Sequence, residues 1–123
     1  MSNHQQTAEA LSADLYTGAT LILLTEDGTL PERLTRAYTD MAFHAAALAG
    51  QLPAALGGRI LALHQVVTGG AEPGQALDPA AVAGAVHALS RPEQVRVAMD
   101  VADLADDLEA EHEAMRAHFS PSI

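Results

Sequence analysis

Asp100, Asp103, Asp107 and Glu111 recur at spacings of three and four along the C-terminal third of the chain, and Glu93 precedes them. On a 3.6-residue period these carboxylates share one helix face, which adjoins the apolar seam of that helix, and His118 falls on the same stripe. Carboxylates at i, i+3 and i+7 beside the edge of a core can hold Mg²⁺ or Mn²⁺, with waters completing the shell. Glu32, Asp40 or His44 would then be supplied by a facing helix. The competing reading is a solvated acidic flank, because the chain carries 16 Asp and Glu in all.

The 6 histidines are the second lead. His44, His64 and His87 fall in three different predicted helices, and bundle metal sites use carboxylates and His projecting inward from facing helices. The diagnostic Glu-x-x-His occurs once, as Glu109-Ala-Glu-His112, where a di-metal bundle carries it twice. The plainer reading puts His44, His64 and His87 at core edges, bonded to backbone carbonyls. Nucleophilic catalysis has no signature: no serine lies in a Gly-x-Ser-x-Gly elbow. Gly69, Gly70 and Gly74 are followed by no Gly-Lys-Ser/Thr and preceded by no strand, so they make no phosphate loop.

Met99-Asp-Val-Ala-Asp-Leu104 resembles, over one helical turn, the Glu-x-x-Asp element of the all-α nucleotide pyrophosphohydrolases. The resemblance implies a Mg²⁺ site completed by paired glutamates on an earlier helix. The chain departs from that pattern. Asp100 stands where Glu is usual, no glutamate pair precedes it, and there is no lysine to meet phosphates.

Composition narrows the partners. In 123 residues there are no cysteines, which excludes disulfides, thiolate metal sites and cysteine nucleophiles and fits a cytoplasmic protein. The net charge of −10, with arginine as the only strongly basic residue type, repels phosphate backbones and anionic lipid. Nucleic acid and membrane are therefore not expected partners. A basic protein surface is compatible. The most apolar short run, Leu21–Leu24, is far below the ~20 residues a membrane span needs. Met1 to Gln6 is polar without a basic flank, unlike a secretory signal.

The elements that position these residues read as helices. Residues 1–6 are expected to form a flexible tail, 7–119 one helical domain, with a linker at 69–78 between two helical halves, and 120–123 a second tail. Ala8, Leu11, Leu15, Gly18 and Ile22 set a helical stripe. The run Leu21–Thr25 before Asp27-Gly28 has a strand alternative, but a lone strand would lack a partner. Thr29-Leu-Pro-Glu32 is a capping box with proline in the first turn, where its missing N–H costs nothing. Leu34, Tyr38, Met41, Ala45 and Leu48 follow as a core stripe, which Gly50 and Pro53 end. Leu56, Ile60, Leu63 and Val67 line a third helix. Gly57-Gly58 near its start implies a close backbone approach or a shifted helix start. Asp78-Pro79 opens a short fourth helix, and Ser90-Arg-Pro-Glu93 is a second capping box. It begins the longest helix, whose seam is Val97, Val101, Leu104, Leu108 and Met115.

The expected fold is all-α, an antiparallel bundle of about five helices. The second helix is apolar on both sides, with Phe43, Ala46, Ala47 and Gly50 opposite its core stripe. Such a helix lies either mid-structure or at a subunit contact, so these four residues are the expected interface of a homodimer. The function expected first is a non-catalytic, acidic interaction or regulatory domain without a cofactor. The alternatives are a Mg²⁺- or Mn²⁺-dependent all-α enzyme using Asp100, Asp103, Asp107, Glu111 and His44, and a small-molecule sensor with an apolar pocket between the second, third and fifth helices.

Overall fold

A computed structural model describes the backbone of residues 2–70 and 78–119 and the side chains of 7–70 and 78–114. The fold is an all-α bundle. Its helices are α1 (Ser2–Thr25), α2 (Leu30–Ala37), α3 (Phe43–Ala46), α4 (Ala54–Thr68), α5 (Pro79–Ala88) and α6 (Arg91–Phe119). A π-helical turn, Tyr38–Ala42, joins α2 to α3, and a 3₁₀ turn, Ala49–Gln51, precedes α4. Among the described residues there is no strand, and no helix is long and apolar enough to cross a membrane.

The helix starts follow from local chemistry. At Thr29 the backbone N–H donates to Glu32 Oε1 at 3.0 Å, while the hydroxyl accepts from the Glu32 N–H at 3.4 Å. Ser90 and Glu93 repeat the arrangement at 2.9 and 3.3 Å. Each box satisfies two backbone donors that would otherwise have no partner. The backbone N–H of Thr29, then its hydroxyl, hold the Glu32 carboxyl below the ordinary range, and Ser90 does the same to Glu93. Asp78 Oδ1 accepts from the Ala80 N–H at 3.1 Å ahead of Pro79. Gly69 ends α4 in the left-handed region at φ +70°, a conformation glycine adopts without a Cβ penalty.

Several boundaries differ from expectation. The helix of α1 starts at Ser2, ahead of the residues whose periodicity announced it, while its far end at Thr25 agrees with the helical reading of Leu21–Thr25. Residues 71–77 of the expected linker, and 120–123, lie outside the described residues. The second expected helix is not continuous. Thr35 and Thr39 turn their hydroxyls back onto the carbonyls of Pro31 and Thr35, at 2.8 Å each. Back-bonding of this kind bends helices, and the π turn follows immediately.

The core holds Tyr16, Ala19 and Leu23 from α1, and Leu34, Ala37 and Tyr38 from α2 and the π turn. It is completed by Ile60, Leu63 and Val67 from α4, Val82 and Val86 from α5, and Val97, Val101, Leu104 and Leu108 from α6. The most extensive pairing is α1 on α6. Alanines and glycines let backbones come close. A Cβ built on Gly57 would lie 2.5 Å from the carbonyl oxygen of Ala49, so that glycine is what lets α4 pack on the 3₁₀ turn. Beside it Gly58 faces open space.

Candidate functional site

The acidic row of α6 faces solvent. Asp100, Asp103 and Asp107 are exposed and Glu111 is half-buried. The side chain that meets the row from a neighbouring helix is a cation: Arg59 of α4 pairs with Asp107 at 2.6 Å, both about half exposed. His44 is exposed on α3, where its ring lies against that of Phe43 at 4.5 Å between centroids. Among the described residues no three His, Asp or Glu converge to hold a metal. The row is thus exposed at Asp100, Asp103 and Asp107, with an arginine partner at Asp107. Spacing along one helix aligned the carboxylates but did not supply an opposing acidic face.

The four residues of the expected dimer face are not exposed together. Ala46 is buried in the core, Phe43 packs partly against it, and only Ala47 and Gly50 are exposed. Ala42, Ala45, Ala46 and Ala49 all turn inward across the π turn, α3 and the 3₁₀ turn.

Three exposed apolar side chains gather elsewhere, on α1 and α6. Leu24 is 75% exposed, Met99 60% and Val95 39%. These three line one open groove of about 310 Å³ between α1, α2 and α6, floored by Leu23 and Ala102. Arg33 closes one edge, fixed by a 2.7 Å hydrogen bond from its guanidinium to the Leu23 carbonyl. Leu21, also exposed, stands one turn before Leu24.

A second cleft of about 310 Å³ runs between α4 and α6. Leu63, Val97 and Leu104 form its floor, and Arg59, Arg96, Glu93 and Asp100 its rim. It adjoins two of the three helices that would bound a sensor's pocket, but it is an open trough with a mixed-charge rim.

The inner face of α1 is different from the one its periodicity predicts. Leu11 is 46% exposed, and the buried positions are Ala8, Glu9, Ser12, Ala13, Tyr16, Ala19 and Leu23. Three polar side chains on successive turns of α1 therefore enter the core. Tyr16 influences Tyr38 of the π turn, and the Tyr38 hydroxyl is hydrogen-bonded to Nδ1 of the buried His64 on α4. Burial pushes both phenols well above their ordinary pKa, and for Tyr38 the nearby Tyr16 adds to it. Both phenols are therefore neutral, and Tyr38 is the one that hydrogen-bonds. Tyr16, Tyr38 and His64 are sealed from solvent, and the Tyr38–His64 bond ties the π turn to α4. Of the other expected core-edge histidines, His87 is exposed and bonds the Ala83 carbonyl at 2.7 Å. Sequence reasoning missed this cluster because polar residues occupy core positions of α1. The signal present was the 13, 16, 19, 23 spacing of Ala, Tyr, Ala and Leu.

No protein-family model, curated protein or solved structure matches the chain.

Proposed function

We propose that this chain is a non-catalytic helical interaction domain whose binding face is the apolar groove between α1, α2 and α6, and that it self-associates through that face. The observation that carries the reading is the gathering of Leu24, Val95 and Met99, all exposed, around one groove. Singly exposed apolar residues are ordinary, but a contiguous apolar patch rimmed by polar residues marks a contact surface. Burying a Leu, Val or Met side chain is worth roughly 1.5–3 kcal/mol when exposure is complete. The composition supports a second copy as occupant. With 3% aromatic residues and many alanines, the monomer buries few large side chains, and a dimer would supply more. The acidic surface elsewhere keeps other faces apart.

Sedimentation equilibrium tests this. The expected result is a mass near twice 12.8 kDa at micromolar concentration, reduced to the monomer in Leu24→Asp with helix content unchanged. A wild-type chain that stays monomeric up to millimolar concentration would refute self-association.

A further inference from the structure

One stripe of α6 reads, from its N-terminus, Arg91, Val95, Met99, Ala102, Asp106, Glu109 and Glu113, at spacings of three and four. All are exposed except the half-buried Ala102, and Val95, Met99 and Ala102 line the apolar groove. The stripe is thus basic at one end, apolar in the middle and acidic at the other. We infer that a second copy of this chain docks here with its α6 antiparallel, the two-fold axis passing between Ala98 and Met99. The inference rests on the self-association proposed above and adds its geometry.

The electrostatics select the direction. Two copies each carrying −10 repel overall. A parallel pairing lays Asp106, Glu109 and Glu113 of each copy alongside the same residues of the other, with nothing to offset them. The antiparallel pairing sets Arg91 against the partner subunit's Asp106, twice by symmetry, and Val95 against the partner subunit's Ala102. It also brings Asp106 and Glu109 of each copy to the other's α6 N-terminus, where the positive end of the helix dipole favours carboxylates. Each Met99 fills the other copy's groove beside Leu24. An isologous contact needs one self-complementary patch, which this stripe is.

The absence of native cysteine makes the test direct, because any disulfide formed by a single introduced cysteine joins two copies. Under mild oxidation, Met99→Cys is expected to cross-link with itself. Arg91→Cys and Asp106→Cys are expected to cross-link in a mixture and not when each is alone. Arg91→Glu is expected to weaken the dimer about tenfold, as two screened surface pairs would, and adding Asp106→Arg to restore it. Cross-linking of Arg91→Cys with itself would overturn the antiparallel register while leaving self-association intact. So would a dimer indifferent to both charge changes. A monomeric Leu24→Asp with a still-dimeric Met99→Asp would place the contact on α1 alone and overturn the α6 register in the same way. A monomeric wild type would remove both the register and the reading beneath it.

Discussion

At the scale of single residues, the Tyr38–His64 hydrogen bond carries the most consequence. It joins the π turn to α4 in a sealed part of the core, where a lost partner is costly. Tyr38→Phe keeps the ring and removes the hydroxyl. Urea unfolding should show it destabilised by about 1–3 kcal/mol, the usual cost of leaving a buried polar atom unmet. The two neighbouring glycines of α4 should respond in opposite directions to alanine. Helix propensity favours Ala by about 1 kcal/mol at each. At Gly58 nothing opposes it, so Gly58→Ala should stabilise by up to that amount. At Gly57 the new Cβ meets the Ala49 carbonyl at 2.5 Å, so the backbone must move and Gly57→Ala should destabilise despite its propensity. Equal shifts of the melting temperature in the two variants would show that the approach of α4 to the 3₁₀ turn is not tight. That Gly57-Gly58 implied a close approach or a shifted helix start was legible from the sequence; which of these held, and at which glycine, was not, because that depends on where Ala49 lies.

At the scale of elements, capped helix starts are written in adjacent residues, and they are where sequence reasoning was most dependable; the start of α1 was not. Both capping boxes form as their four-residue motifs predict, because the groups involved are three residues apart and need nothing distant. They also set a pH response. The folded-state pKa of Glu32 and of Glu93 lies below the ordinary 4.5. A carboxyl whose pKa is lowered by folding contributes stability that is whole above its unfolded pKa and is lost as pH falls through the folded one. The melting temperature should therefore drop below about pH 4.5, and Glu32→Gln with Glu93→Gln should flatten that drop. A profile unchanged by the double variant would assign the acid limb to other carboxylates. Helix interiors were less legible. Periodicity placed the seam of α6, from Val97 to Leu108, on its buried side, since each of those residues is apolar. The same procedure misplaced the inner face of α1, where Glu9 and Ser12 are buried and Leu11 is not. It also ran a single helix through the π turn at Tyr38–Ala42.

At the scale of the whole molecule, the question is what covers the groove that holds Leu24, Val95 and Met99. The acidic row does not compete for that role. Asp100, Asp103 and Asp107 are exposed, and an exposed pair such as Arg59–Asp107 is worth at most about 1 kcal/mol. Asp107→Asn should accordingly leave the unfolding midpoint nearly unchanged and leave self-association untouched. Leu24→Asp should do the reverse, preserving helix content and abolishing the dimer. A raised melting temperature in millimolar Mg²⁺ or Mn²⁺, lost in Asp103→Asn, would return the row to the candidate metal centres.

The residues that could do chemistry were legible as types and spacings along one helix, and so were the all-α class and the caps, because each depends on contacts within about one or two turns. The sequence by itself therefore determined which side chains share a face. Whether a face meets solvent, a neighbour or a second copy depends on elements far apart in the chain. Only the tertiary structure decided that Asp107 meets Arg59, that Ala46 enters the core, and that Leu24 of α1 and Met99 of α6 come together around one groove. The physical reason is that packing is settled jointly by all the helices.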